Sequence, residues 1–410
     1  MAELVARHYR DGRAVRLRME GGIIASVEDA GVNPESLRTL PYVAPGLFDI
    51  QLNGYAGDWF CSDDLTVEAV ERIIHSYVNV GIARCFPTLI TSSFESMLHG
   101  IQTIVRAAES SELVRSVVRG IHLEGPWISP EDGPRGAHPR EHVRSPNAEQ
   151  FDRWQEASGG LVRLVTLAPE TPNAMAMIRE LSSRGVVVAL GHTGASPECL
   201  HEAAASGARM TTHLGNGCSS TINRHQNVFW PQLADDRLTA SIISDGWHVP
   251  ADLMNCILRC KGAERVIITS DISGFGGCEP GTYSAGGVSV EVLEDRRIVV
   301  AGQRQYLAGS ASTTGDCVLQ MMSACQMNLA DAWDLASERP TAMFGLPSCA
   351  LQKGCEATLT LFRIEEQDGK DRITGNPGSS VEPPVSTFIP LATVVQGRLV
   401  RGQLSTLSEF

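Results

Sequence analysis

No two cysteines in this chain are spaced as Cys-x-x-Cys, and its eleven cysteines follow no regular spacing. That pattern argues against a zinc ribbon, a thioredoxin-like redox site and a disulfide framework. The opening Met1-Ala-Glu-Leu-Val-Ala-Arg7 turns polar within a few residues and shows no signal-peptide core, so a reduced, cytoplasmic setting is expected. Nowhere is there an apolar run long enough to span a bilayer, and no membrane partner is expected. Basic residues are outnumbered: 34 Lys and Arg against 47 Asp and Glu give a formal net charge of -13. Such a balance speaks against binding phosphate backbones, so no nucleic-acid partner is expected, but it permits a small anion held by one or two local arginines. Internal repeats and low-complexity segments are also missing. What remains is an ordinary globular composition, 43% hydrophobic and 20% charged, in a chain of 410 residues. That length accommodates one large domain and a small one.

The pattern along the chain changes twice. Residues 1–45 read as short strands and turns, with Ala14–Met19 alternating before Gly21-Gly22 and Ile23–Val27. Residues 350–410 have the same character, in Ala357–Phe362, Leu391–Gln396 and Arg398–Val400, while Pro377–Pro384 reads as an exposed loop. Between them, over 46–349, strand-like runs alternate with helical stretches at 65–80, 93–109, 172–184, 196–206 and 249–261. Eight candidate strands can be counted: Leu47–Leu52, Ala83–Ile90, Val118–Leu123, Leu161–Leu167, Val186–Leu190, Ala208–Thr212, Thr239–Ser244 and Val266–Ser270. The segment Leu214–Leu233, rich in Gly, Asn, Ser and Cys, suits a substrate loop better than a crossover helix. A hairpin-like excursion runs to about residue 305, and a helix-rich part, 312–345, completes the wall. The predicted fold is α/β: a TIM-like (β/α)8 barrel, with a small β-sandwich domain built from both termini.

Five residues of types that can bind metal or move protons stand just past apolar runs. Glu124 follows Val118–Leu123, His192 follows Val186–Gly191, and His213 follows Ala208–Thr212. Asp245 follows Thr239–Ser244 and Asp271 follows Val266–Ser270. In barrels of this kind the chemistry sits at the C-terminal ends of the strands. Two imidazoles and a carboxylate, from Glu124, His192 and His213, are a donor set for one divalent ion, and their types favour zinc. Asp271 is suited to take a proton from water and return it to a leaving amine. Asp245, in Asp245-Gly-Trp-His248, fits turn capping as well as catalysis. His122 lies two residues before Glu124 and fits a packed barrel interior or a site-supporting role. His75, His99, His201 and Cys85 read as structural.

In order, Pro45–Gly54, His122-Leu-Glu-Gly-Pro-Trp-Ile-Ser129, Gly191-His-Thr193, Thr212-His-Leu214, Asp245–His248 and Leu307-Ala-Gly-Ser310 resemble the N-acetylglucosamine-6-phosphate deacetylases of the amidohydrolase superfamily. The resemblance runs along nearly the whole chain. It implies metal ligation by Glu124, His192 and His213, and acid/base catalysis by Asp271. It further implies substrate contacts from Ala137 and His138, from Asn216, Gly217 and Arg224, from His248, and from Leu307, Ala308 and Gly309. Where many superfamily members carry His-x-His after strand one, this chain has Gln51-Leu-Asn53, which implies a single tightly bound ion. A homodimer is implied as well. The loop after His213 departs from the family: His213-Leu-Gly-Asn-Gly-Cys218 and Arg224-His-Gln-Asn227 replace the usual His-Leu-Phe-Asn-Ala-Met and Arg-Glu-Pro-Gly. The expected activity is therefore metal-dependent removal of acetyl from an N-acetylated amino sugar phosphate. A same-fold hydrolase of another acylated amine, unphosphorylated sugar or cyclic amide is the alternative, and a retired barrel serving as a binding protein is the non-enzymatic one.

Overall fold

The computed structural model describes residues 2–285, 288–366 and 386–402, so the loop expected at Pro377–Pro384 lies outside the described residues. Eight parallel strands form the barrel: Leu47–Leu52, Ile82–Ile90, Ile121–Glu124, Val162–Leu167, Val187–Leu190, Met210–Thr211, Thr239–Ile243 and Val266–Thr269. All eight expected strands are present and neighbours in sequence are neighbours in space. Two are shorter than their apolar runs, because Val118 makes only an isolated bridge to Cys85 and the sixth strand pairs over two residues.

Apolar side chains face both ways along these strands, as burial on two sides requires. Outward residues such as Ile121, Leu123, Val165 and Leu167 pack with the surrounding helices. Inward, Phe48, Ile50, Phe86, Leu164, Met210 and Ile267 fill the lower barrel together with Phe344. Phe86 and Phe344 meet edge to face, with centroids 4.7 Å apart. This plug occupies the end where the strands begin and leaves the polar strand ends at the opposite mouth.

Helices at Val67–Asn79, Phe94–Ser110, Ala174–Ser183, Pro197–Ser206 and Ala251–Lys261 match the five expected stretches. Thr66, Ser93 and Ser196 each cap a first turn by accepting a backbone N–H three residues on. A further helix, Ala148–Ala157, carries little sequence signal, since only Phe151 and Trp154 are buried in it. The excursion after strand eight is a four-stranded antiparallel sheet, Gly281–Ala285, Val288–Val292, Ile298–Val300 and Gln303–Leu307. Helices at Thr314–Cys325, Leu329–Leu335 and Glu338–Met343 follow.

Both ends of the chain build one seven-stranded, mostly antiparallel sheet. Ala2–His8, Ala14–Glu20, Ile23–Asp29 and Tyr42–Pro45 come from the start, and Leu359–Glu366, Ser386–Val395 and Arg398–Arg401 from the end. Tyr42–Pro45 joins the two halves, antiparallel to Leu359–Glu366 and parallel to Ala2–His8. One residue, Gly46, then leads into the barrel, and a Cβ there would lie 2.6 Å from Ala83 Cβ, so only glycine fits. Trp333 stacks on Phe362 at 4.3 Å and docks the sheet on the barrel wall. No helix among the described residues is long and apolar enough to cross a membrane.

Candidate metal centre and active site

The strand ends bring three side chains to one point. Glu124 Oε1 lies 3.2 Å from His192 Nε2 and 2.9 Å from His213 Nε2, and the two imidazole nitrogens are 3.0 Å apart. All three residues are buried. Two imidazole lone pairs facing each other at that distance repel unless a proton or cation lies between them. The donor set, buried and convergent, fits a divalent cation. His192 Nδ1 donates to the carbonyl of Pro134 at 2.9 Å, which leaves Nε2 with its lone pair toward the cluster. His213 is held through its backbone, whose N–H donates to Ser241 Oγ at 2.9 Å. Burial pushes the Glu124 carboxyl up, but the contacts with His192 and His213 outweigh it and hold the group ionised.

Asp271 stands beside this cluster. Gln51 Nε2 donates both to Glu124 Oε1 at 2.8 Å and to Asp271 Oδ1 at 3.0 Å, and Asn53 Nδ2 donates to the same Oδ1 at 2.7 Å. The amides thus serve as donors to carboxylates, a use the sequence did not reveal. Burial, followed by the Glu124 charge, pushes Asp271 up to about 7. His192, His213 and Asp271 all adopt positive φ, at 49°, 31° and 49°, a conformation L side chains rarely take. Such strain persists only where surrounding contacts over-determine it.

His248 pairs with Asp245: Nδ1 to Oδ2 is 2.8 Å, and Asp245 Oδ1 accepts the backbone N–H of Trp247 and of His248, each at 2.9 Å. Asp245 therefore shapes the turn and orients His248. Burial opposes the charged form of His248, yet the Asp245 carboxylate outweighs it and raises the imidazole above its ordinary value. His138 lies with its ring centroid 4.2 Å from that of His192, and its Nδ1 is 2.7 Å from Thr91 Oγ1. Burial, then His192, lowers it to about 3, so it is neutral. Ala137 precedes it, exposed, in a loop whose Gly136 passes over the His192 ring.

The remaining expected contacts divide. Gly217 lies against the cluster, where a Cβ would come within 3.0 Å of His192 Nδ1 and 3.2 Å of His213 Cε1. Asn216 turns its amide onto the His213 carbonyl at 3.3 Å. Leu307, Ala308 and Gly309 run past Asp271, whose carbonyl accepts the N–H of Ser310 at 3.1 Å. Arg224 is exposed and its guanidinium has no hydrogen bond or ion pair among the described residues. His122 belongs to the barrel interior, bound to Thr166 Oγ1 at 2.8 Å and near Thr88 Oγ1 at 3.3 Å. Thr91, which holds His138, and Pro134, which orients His192, gave no signal in the sequence, since a lone threonine and a backbone carbonyl carry none.

The amidohydrolase family model matches residues 42–400. The N-acetylglucosamine-6-phosphate deacetylase of Bos taurus is 32% identical over 313 residues, 74% of this chain and 75% of that protein. The N-acetylgalactosamine-6-phosphate deacetylase of Escherichia coli O157:H7 is 28% identical over 332 residues, 81% of this chain and 85% of that protein. Among solved structures, N-acetyl-D-glucosamine-6-phosphate deacetylase from Mycobacterium smegmatis superposes with a TM-score of 0.80 at 26% identity, over 98% of this chain and 100% of that one. A mutant of that enzyme in complex with N-acetyl-D-glucosamine-6-phosphate gives 0.79 at 25%, with the same coverage. The chain therefore belongs to the amidohydrolase family, a family of metal-dependent hydrolases, and within it resembles the N-acetylglucosamine-6-phosphate deacetylases.

Proposed function

We propose that this protein removes the acetyl group from an N-acetylated hexosamine 6-phosphate such as N-acetylglucosamine 6-phosphate, yielding acetate and the free amino sugar. The observation that carries this reading is the meeting of Glu124 Oε1, His192 Nε2 and His213 Nε2 beside an amide-tethered Asp271. A single divalent ion per subunit, zinc by the donor types, would be held by those three atoms and would supply Lewis-acid activation of water and of the acetyl carbonyl. Asp271 takes the proton that the attacking water sheds and delivers it to the amine nitrogen as the C–N bond breaks. Its Oδ1 is engaged by both amides, so Oδ2 is the oxygen left for the proton. His138, neutral and anchored through Nδ1, has Nε2 left for the carbonyl oxygen as it gains charge.

Sugar recognition falls to the mouth. The sugar contacts are assigned to His248, which Asp245 biases toward its charged form, to Leu307, Ala308 and Gly309 beside Asp271, to Asn216 and Gly217 beside His213 and His192, and to Ala137 next to His138. Arg224 carries an unpaired guanidinium suited to bidentate phosphate binding. Exposed Ile222 and Trp230 flank it and support a homodimer built through this loop. Eleven unpaired cysteines support a reducing, cytoplasmic setting.

Relatives acting on both the gluco and galacto sugars leave two epimers to compare. Acetate release should be followed with N-acetylglucosamine 6-phosphate, its galacto epimer and unphosphorylated N-acetylglucosamine. Turnover of a phosphorylated sugar at a kcat/KM well above the unphosphorylated one is expected. Equal rates with and without phosphate would move the assignment to another acylated amine, which the altered loop at 215–227 favours as the second reading.

A further inference from the structure

Below its rim the barrel seam is closed by side chains instead of a ladder. Strands Leu47–Leu52 and Val266–Thr269 are the two ends of the eight-stranded sheet and share no run of backbone pairs. They touch at the rim, where Leu52 bridges Ile272 and the Asn53 N–H donates to the Ile272 carbonyl at 2.9 Å. Below the rim lies Asp49, wholly buried and without an ion pair among the described residues. Its Oδ1 accepts from Thr269 Oγ1 at 2.5 Å and from the Gln51 N–H at 3.1 Å. Oδ2 accepts from the Ser270 N–H at 2.9 Å and from Thr314 Oγ1 at 2.6 Å. Thr314 opens the helix Thr314–Cys325, whose N-terminal dipole also favours a carboxylate here.

A buried carboxylate without a cationic partner is costly, and four converging donors offset only part of that cost, since burial still leaves the group above the ordinary carboxylate range. Its location is more informative than its satisfaction. Gln51 and Asn53 lie two and four residues beyond Asp49, and Asp271 directly follows Ser270. The carboxylate clamps the two backbone segments whose side chains meet at Asp271 Oδ1.

We propose that Asp49 is a positioning residue for the hydrolysis: by tying strand one to Thr269-Ser270 it sets the spacing at which Gln51 and Asn53 hold Asp271 Oδ1 and leave Oδ2 aimed at the reacting water. This rests on the reading of Asp271 as the group that moves the proton. A clamp that only stabilised the barrel would leave the chemical step of the folded, metal-loaded enzyme untouched. Misplacement of a proton acceptor by a fraction of an ångström is enough to slow turnover.

The test is a double-mutant cycle of Asp49→Asn with Asp271→Ala, with Thr269→Val as a milder break of the same clamp. Metal content, melting temperature, kcat and KM are measured on metal-loaded protein with the phosphorylated sugar. Asp49→Asn is expected to keep its metal and its KM while kcat falls about tenfold. Thr269→Val should fall in the same direction by less. Added to Asp271→Ala, Asp49→Asn should cause no further loss, because the group it positions is gone. A metal-loaded Asp49→Asn with wild-type kcat, or a loss that adds in full to that of Asp271→Ala, overturns the proposal. Should Asp49→Asn fail to fold, a wild-type kcat in Thr269→Val overturns it equally. If Asp271→Ala itself turns over at the wild-type rate, the functional reading has failed instead.

Discussion

Two parts of the barrel mouth differ in how much of their geometry the protein has already fixed. At the strand ends, Glu124, His192 and His213 are buried, and Asp271 is tethered by two amides on one oxygen. In the loop after strand six, residues 219–226 are all exposed and the Arg224 guanidinium lacks a partner among the described residues. The first arrangement suits chemistry, which needs reacting groups held before substrate arrives. Recognition fits the second, since an exposed charge is free to close on an anion. The contrast predicts that strand-end changes alter turnover and loop changes alter substrate affinity.

The largest break in that comparison should come from Asp271→Asn. It keeps the shape and the proposed metal donors and removes the proposed proton acceptor, so kcat should fall about 10²–10⁴-fold with the ion retained. A variant that keeps its metal and wild-type turnover would remove Asp271 from the mechanism. Arg224→Ala should act in the opposite manner. Loss of the proposed charge-assisted contact with phosphate should raise KM for the phosphorylated sugar about tenfold to a hundredfold, leaving kcat and the unphosphorylated substrate unaffected. A fall in kcat with unchanged KM would place that arginine on the wrong side of the comparison.

Titration sharpens the same line. Without an ion, burial and the Glu124 charge hold Asp271 near 7, so it is mostly protonated below that pH. A cation beside it favours the carboxylate, so the metal-loaded value must lie lower. The acid limb of kcat should therefore fall below pH 7, and carboxylate NMR of metal-free protein should show a midpoint that drops when zinc is added. A midpoint that rises with metal would contradict the electrostatics. The smallest effect is expected from Thr91→Val, which releases His138 Nδ1 and should lower kcat only about fewfold to tenfold, since one neutral hydrogen bond to His138 and a long contact, 3.4 Å, with the Glu124 carbonyl are lost. An unchanged kcat would leave His138 without a need for its anchor.

Much of the fold was legible because parallel strands buried on both faces read as short apolar runs, and five of the eight runs ended at a polar residue of useful chemistry. Helix Ala148–Ala157 was not, because two buried aromatics cannot set a period. Nor was the four-stranded sheet after strand eight, which reads locally as one hairpin. At the site, residue type exposed Glu124, His192, His213 and Asp271. Donor and acceptor roles were hidden: Gln51 and Asn53 read as weak ligands, yet fold across the seam as tethers for Asp271. Asp245 turned from an even choice into a turn-former for His248 once both backbone N–H groups were seen to point at it.

Hydrolysis is proposed to depend on one ion held together by Glu124, His192 and His213. Elemental analysis of dialysed wild-type protein beside a His192→Ala, His213→Ala double variant, each reconstituted with zinc, tests it most directly. One ion per chain in the wild type, with none in a folded double variant and no acetate release from it, is the predicted result. Equal metal content in the two proteins, or undiminished hydrolysis by the variant, would contradict it.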